Sequence, residues 1–185
     1  MTARPGTRGG TEVLLRPAHE DDVDALVDLV QRAYRGEGGW TTEAHLVDGH
    51  RTDADEVRAL LADPAITLLV AETGGVAVGC CYTRRDPADA DGTRRAELGL
   101  FAVDPSAQSR GLGGRLLEAQ AELLREAGID LLVIQVLQSR PELHAWYERH
   151  GFVTVGRSVP FAGNPEWLKV AGLGMDVMER SLRMP

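Results

Sequence analysis

Hydrophobic residues follow two different periods along the chain, one typical of strands and one of helices. Short apolar runs predict strands over residues 12–16, 66–72, 76–83, 95–103, 130–137, 152–157 and 173–182. Apolar residues spaced three and four apart predict helices over residues 18–34, 53–61, 111–128 and 141–150. Several strands first follow one another directly, and the later strands alternate with helices. This order predicts an α/β fold with a mixed central sheet and helices on both faces.

Turn residues mark the boundaries of these elements. Gly74 and Gly75 between two apolar runs predict a hairpin, and Thr52 is the expected cap of the second helix. Residues 40–51 follow the first helix without a clean period. We expect that segment to be a loop.

Three glycines within four positions open the third helix: Gly111, Gly113 and Gly114. Each glycine weakens a helix by about 1 kcal/mol relative to alanine, so three at one helix start require a reason. The N-terminus of a helix offers unpaired N–H groups and a partial positive charge, which suit a phosphate that approaches bare backbone. The alternative is that these glycines only cap and pack the helix.

Two motifs resemble those of the GNAT acetyltransferases. Gln108-x-x-Gly111-x-Gly113 resembles the family's Gln/Arg-x-x-Gly-x-Gly/Ala loop, which cradles the pyrophosphate of acetyl-CoA. Residues 143–152 resemble the family's helix that ends in Tyr-x-x-x-Gly-Phe. The resemblance covers about residues 12–182. It implies the GNAT fold, a sheet of six or seven strands that splay after the fourth so that CoA enters between the fourth and fifth.

The resemblance implies an acetyl-CoA-dependent N-acetyltransferase in which a primary amine, on a small molecule or a peptide, attacks acetyl-CoA directly. A non-catalytic acetyl-CoA-binding regulatory module is the alternative. The residues implied to bind the cosubstrate lie at the end of the fourth strand and in the loop: Phe101, Ala102, Val103, Gln108, Ser109, Arg110, Gly111, Leu112, Gly113 and Gly114. Arg140 stands where many members have an asparagine that contacts the pantetheine, and an arginine there could bind a phosphate instead.

Two residues match catalytic positions of the family. Tyr147 lies where many members place a tyrosine that protonates the leaving thiolate, and its alternative role is packing under the cosubstrate. Glu97 matches the base glutamate of histone-type members, or else lies in solvent. Strict alternation places Glu97, Gly99, Phe101 and Val103 on one face, where Gly99 opens space beside Glu97 for a ligand.

The acceptor amine is expected between the loop after the first helix and the loop before the last strand, as in the family. The candidates are Trp40, Glu43, His45 and Trp167. Tryptophans in loops pack on something, which is either the core or a ligand.

The composition sets limits on other functions. A net charge of −8 argues against nucleic-acid binding, and no run approaches the length of a membrane span. Adjacent Cys80 and Cys81 make a poor disulfide pair, which suits a reducing cytoplasm, and the histidines show no metal spacing. We expect a flexible tail over residues 1–10 and one domain over residues 11–185. The resemblance makes a homodimer possible.

Overall fold

The computed structural model describes residues 12–36, 42–108, 110–161 and 164–183. The predicted tail lies outside these residues. Within them, seven strands, β1–β7, are formed by Val13–Pro17, Ile66–Thr73, Val76–Arg85, Arg95–Val103, Leu131–Leu137, Val153–Pro160 and Gly174–Ser181. Four α-helices, α1–α4, are formed by Val23–Arg35, Ala54–Ala62, Leu112–Glu126 and Pro141–Arg149. These elements confirm the predicted α/β class.

The strands form one mixed sheet in the order β1-β2-β3-β4-β5-β7-β6. Strands β4 and β5 are parallel neighbours, and the other neighbouring pairs are antiparallel. The hairpin between β2 and β3 turns at Gly74 and Gly75, which both have positive φ. Positive φ at both turn positions favours glycine, so the predicted hairpin is confirmed.

The helices cover the two faces of the sheet. Leu26, Leu29 and Val30 of α1 pack with Val57 of α2 against one face. Leu116 of α3, together with neighbouring residues of α3 and α4, packs against the other face. The sheet is therefore buried on both sides over its central strands, as expected for strands with continuous apolar runs.

Strands β4 and β5 separate after three residue pairs. The pairs join Arg95–Leu131, Ala96–Leu132 and Glu97–Val133, and no later pair of these strands follows in the described residues. Strand β5 instead remains paired with β7 along all of Leu131–Leu137. The two parallel strands thus diverge toward their C-terminal ends and leave a gap in the sheet, as the resemblance implied.

A bulge in β4 lies beside this gap. Cys80 pairs with Ala102 and Tyr82 pairs with Gly99, so two residues of β4 lie opposite one residue of β3. One of the two, Leu100, has a φ of 46°, which is rare for a residue with a side chain. The inserted residue reverses the faces of the strand from this point on.

The expected alternation along β4 is therefore wrong. Leu98 packs with α3, whereas Leu100 and Ala102 pack with α1 on the opposite face. Phe101 and Val103, which follow the bulge, pack on the α3 side. Glu97 and Gly99 precede the bulge and point toward the α1 side, so they do not share a face with Phe101 and Val103.

The helix starts differ from the predicted ones in two places. A 3-10 turn at Glu20–Asp22 precedes α1, which begins at Val23. Asp53, not Thr52, caps α2, because its carboxylate accepts a hydrogen bond from the backbone N–H of Glu56 at 2.8 Å. The Thr52 hydroxyl donates to the Glu56 carboxylate instead. In the part of the chain that the structure describes, no helix is long and apolar enough to cross a membrane.

Candidate active site

A cavity of about 690 Å³ occupies the gap between β4 and β5. One end opens on the start of α3 at Gly111, Gly113 and Gly114. The other end is lined by polar and charged side chains from α1, the loop after it and β3. Edges of β4 and β5 and the side chain of Tyr147 line the length between the two ends.

The three glycines at the loop end have different structural reasons. Gly111 has a φ of 72°, and a Cβ there would meet nothing within 4 Å. A Cβ on Gly113 would lie 3.3 Å from the Trp146 ring, and one on Gly114 would lie 3.1 Å from Nε2 of His150. Gly111 sets the turn and leaves open space, whereas the other two glycines allow α4 to pack closely.

The start of α3 offers backbone donors to the cavity. Its N-cap is Gly111, which has no side chain that could cap the first turn. Leu112, Gly113 and Gly114 line the cavity with this end of the helix. Unpaired N–H groups and the helix dipole together make such an end suitable for a phosphate.

Of the other predicted loop residues, only some line the cavity. Gln108 lines the cavity, and its side-chain amide donates to the carbonyl of Val103 at 3.1 Å. Arg110 is exposed and is not among the residues that line the cavity. Ser109 lies outside the described residues. The side chain of Gln108 therefore joins the loop to the end of β4.

The end of β4 presents backbone to the cavity. Phe101 and Val103 line it, whereas Ala102 is fully buried against the α1 face. The Tyr34 hydroxyl donates to the Phe101 carbonyl at 2.9 Å and ties α1 to the strand just after the bulge. Because β5 has diverged, the edge of β4 that faces the gap can offer backbone donors to a ligand.

Tyr147 lies among aromatic rings in the middle of the cavity. Its ring centroid is 4.9 Å from that of Trp146 and 5.3 Å from that of Phe152. The side chain is 6% exposed, and this burial raises the pKa of the phenol well above its ordinary value. The hydroxyl therefore keeps its proton at neutral pH.

Glu97 lies at the point where β4 and β5 part. Arg84 donates to one of its carboxylate oxygens, and the Gln135 side chain donates to the other at 3.3 Å. The side chain is 26% exposed and lines the cavity. The space over Gly99, expected to receive a ligand, is filled by the ring of Tyr82.

The inner end of the cavity contains three residues that the sequence did not single out: Tyr34, Arg51 and Tyr82. They join Glu43, which was predicted. Burial raises the pKa of the Glu43 carboxyl, although Arg51, Arg35 and Arg140 oppose this. The only sequence signal near these residues was the aperiodic stretch between the first two helices.

Two predicted residues lie away from the cavity. The indole of Trp167 covers Gly49, where a Cβ would lie 2.6 Å from the ring. The guanidinium of Arg140 is buried, donates to the Thr42 carbonyl at 2.9 Å and pairs with Glu142. Arg140 thus holds the loop after α1, and neither residue is among those that line the cavity.

The remaining two acceptor candidates, His45 and Trp40, are not placed in the cavity by the described residues. His45 is exposed in the turn that follows Glu43, and Trp40 lies outside the described residues. In the described ranges, no group of three or more His, Cys, Asp or Glu residues is placed to hold a metal ion.

Known acetyltransferases resemble this chain in sequence. A family model described as the acetyltransferase (GNAT) family matches residues 23–152. Mycothiol acetyltransferase of Propionibacterium freudenreichii is 30% identical over 147 residues, which cover 77% of this chain and 44% of that protein. IAA acetyltransferase of Azospirillum brasilense is 29% identical over 144 residues, covering 77% and 86% of the two chains.

Solved structures share the fold. The ribosomal-protein-alanine N-acetyltransferase of Brucella melitensis has a TM-score of 0.72 at 22% identity, covering 91% of this chain and 99% of that one. The putative acetyltransferase yncA of Salmonella typhimurium, solved with acetyl-CoA, has a TM-score of 0.66 at 20% identity, covering 94% and 96%. The chain spans less than half the length of the mycothiol acetyltransferases that it matches.

Proposed function

The chain belongs to the GNAT acetyltransferase family, and from that premise we propose that it is an acetyl-CoA-dependent N-acetyltransferase. The observation that carries the proposal is the gap between β4 and β5, which opens at one end on the glycine-rich start of α3. A thioester of CoA supplies an activated acetyl group there. The acceptor is a primary amine on a small molecule, which suits a cavity lined at its inner end by side chains of α1, the loop after it and β3.

The loop end suits the pyrophosphate of CoA. Gly111 leaves open space above the first turn of α3, and the N–H groups of residues 112–114 point along the helix dipole. In this proposal Ser109 and Gln108 also bind the pyrophosphate, and the exposed Arg110 binds a phosphate of CoA at the protein surface. Arg140 is left out of the proposed CoA site, because its guanidinium donates to Thr42 and pairs with Glu142.

The edge of β4 suits the thioester carbonyl. Backbone N–H groups in Phe101–Val103 face a strand that has diverged, so they can stabilise the negative charge that develops on the carbonyl oxygen. The hydrogen bond from Tyr34 to the Phe101 carbonyl fixes the backbone at this point.

Acetyl transfer requires one proton to leave nitrogen and one to reach sulfur. The amine nitrogen forms a bond to the acetyl carbon as the carbon–sulfur bond breaks. Glu97, which lies at the inner part of the cavity, accepts the proton from the amine directly or through water. Tyr147 donates the proton that the departing sulfur takes up, and its raised pKa keeps that proton available.

The test is release of CoA thiol with a panel of primary amines, with acetylated products identified by mass. Gly111→Asp places a negative charge where the pyrophosphate binds, so it should reduce kcat/KM by at least about 100-fold. Gly74→Asp is the matched control, because Gly74 also has a positive φ and open space but lies in the β2–β3 hairpin. Acetyl-CoA binding with no transfer to any amine would favour the non-catalytic module instead.

Two further properties belong to the proposal. Cys80 and Cys81 are free and buried, which suits a cytoplasmic protein, because a reducing compartment keeps thiols free. A homodimer is compatible with the family.

A further inference from the structure

Arg51 is a charged side chain at the inner end of the cavity that forms no direct ion pair with any described residue. The guanidinium lies over the ring of Tyr34, with 5.1 Å between its Cζ and the ring centroid. In the described parts of the chain, no carboxylate lies within 4.0 Å of it, and its guanidinium donates no hydrogen bond. Arg51 is half-buried, and a half-buried guanidinium that faces a cavity favours an anion there.

Glu43 and Glu56 act on Arg51 from a distance, and both raise its pKa without forming an ion pair with it. The ion-pair partner of Glu43 is Arg35, which lies 3.5 Å from its carboxylate. Glu56 accepts a hydrogen bond from Thr52 and lies beyond ion-pair distance of Arg51. Among the described residues, Arg51 therefore faces the cavity without a direct ion pair.

A negatively charged side chain, Glu97, lines the same cavity as Arg51. The Tyr82 side chain interacts electrostatically with both Glu97 and Arg51. Glu97, which also pairs with Arg84, thus supplies an acidic group at the strand junction, and Arg51 supplies a basic group toward the loop after α1. Such an arrangement complements a molecule with a positive amine at one end and a negative group at the other.

The reacting end of that molecule would lie in the right place. Tyr34 contacts Arg51 through its ring and the Phe101 carbonyl through its hydroxyl. An anionic group on Arg51 is consequently one tyrosine side chain away from the edge of β4, where the proposed function places the thioester.

We propose that the acceptor is a primary amine that also carries a carboxylate or phosphate group, and that Arg51 binds this group. The inference rests on the proposed N-acetyltransferase function and names its substrate class. A guanidinium binds either anion through two parallel hydrogen bonds, so carboxylate and phosphate share the same recognition chemistry.

The test is a ligand-observed NMR titration of the full chain loaded with CoA, which holds the cosubstrate site without reaction. The probes are two matched pairs: 4-aminobutyrate with 4-aminobutanamide, and glucosamine 6-phosphate with glucosamine. In each pair the charge lies several bonds from the nitrogen. The pair with the larger preference for its anionic member identifies the anion.

We expect the anionic member of at least one pair to bind at least about tenfold more tightly than its neutral counterpart. Arg51→Gln should abolish this preference, and Arg51→Lys should keep its direction with a smaller size. Arg58→Gln is the control, because Arg58 is an exposed arginine of α2 paired with Glu20, and it should keep the full preference.

Equal binding within both pairs would overturn the inference, as would a preference that survives Arg51→Gln. Equal losses in Arg51→Lys and Arg51→Gln would also overturn it, because they would indicate packing on Tyr34 and not charge. Acetyl transfer to neutral amines without any anionic preference would defeat only this inference. An Arg51-dependent preference in a protein that transfers no acetyl group would defeat only the proposed function.

Discussion

Burial decides how Tyr147 can act. A phenol among Trp146, Phe101 and Phe152 is shielded from water, so its anion is disfavoured and its pKa rises. Such a phenol stays neutral, so it retains a proton to donate, whereas its phenolate is not populated. The geometry therefore suits proton delivery to sulfur better than any role that needs the phenolate.

Tyr147→Phe removes the donor and keeps the ring. We expect kcat to fall by about 10² or more, with acetyl-CoA affinity changed less than a few-fold. Because the raised pKa lies above the assay range, the wild-type rate should show no decline from Tyr147 as the pH rises to 10. Steady-state kinetics with calorimetry measure both quantities. A variant that retained its full kcat would assign Tyr147 to packing alone.

Glu97→Gln removes the proposed base and keeps the hydrogen bond from Arg84. A protonated amine needs help to lose its proton at neutral pH, whereas at higher pH it is already neutral. We therefore expect kcat/KM to fall by at least about tenfold near pH 7 and the defect to shrink as the pH approaches the pKa of the amine. A defect of constant size across this range would indicate a structural role instead.

At the scale of the elements, the bulge in β4 is the feature that prepares the site. It turns Leu100 into the left-handed region, moves Phe101 and Val103 to the face of α3, and leaves Gly99 under the ring of Tyr82. The strand edge beside the gap is shaped by this one inserted residue.

Gly99→Ala tests how tightly the bulge is packed. A Cβ at this position would overlap the Tyr82 ring, so we expect a loss of about 1–3 kcal/mol in the free energy of unfolding. In a Tyr82→Ala background the same substitution should cost clearly less, because the obstruction is gone. Denaturant unfolding of the four proteins of this double-mutant cycle gives the coupling. Additive losses would show that Tyr82 does not restrict residue 99.

The sequence predicted the strands and helices but not the bulge. Leucines at helical spacing and the glycines at its start predict helix α3. In β4, both faces of the strand are covered, so Leu98 and Leu100 are both buried although they point to opposite sides. The period-2 pattern therefore passes through the bulge unchanged, and only pairing with β3 shows it.

The candidate site was also predictable only in part, where its residues lie in local motifs. Loop glycines and Tyr147 lie in local motifs, whereas Tyr34, Arg51 and Tyr82 come from three separate segments that tertiary packing brings together. Arginine is usually a solvated surface residue, and nothing local distinguishes Arg51 from the others. Trp167 was a candidate as a tryptophan in a loop, and Arg140 as the residue that replaces a family asparagine. The structure places the Trp167 indole on Gly49 and the Arg140 guanidinium on the Thr42 carbonyl.

Charge also stabilises the molecule as a whole. Arg16 on β1 donates to Asp22 at 2.7 Å and to Glu72 on β2 at 2.8 Å, which joins the start of α1 to the edge of the sheet. The hydrogen bonds from Arg16 lower the pKa of the Asp22 carboxyl below its ordinary value. The folded state therefore binds fewer protons at this residue than the unfolded state does.

The sign of the pH dependence follows from this shift. The contribution of Asp22 is fully present above the pKa of the unfolded chain, about 4, and is lost as the pH falls through the lower pKa of the folded chain. We expect Asp22→Asn to lower the free energy of unfolding at pH 7 and to flatten its dependence between about pH 5 and pH 2. Urea unfolding at several pH values checks this. An unchanged slope in the variant would show that Asp22 is not linked to folding.

At the scale of the whole molecule, the proposed function requires CoA to lie in the gap with its pyrophosphate on the start of α3. Calorimetric titration of acetyl-CoA into the wild-type chain, Gly111→Asp and Gly74→Asp tests this most directly. We expect micromolar binding to the wild type and to Gly74→Asp, and no measurable binding to Gly111→Asp. Equal binding to all three proteins, or binding to none of them, would contradict the placement of the pyrophosphate on this loop.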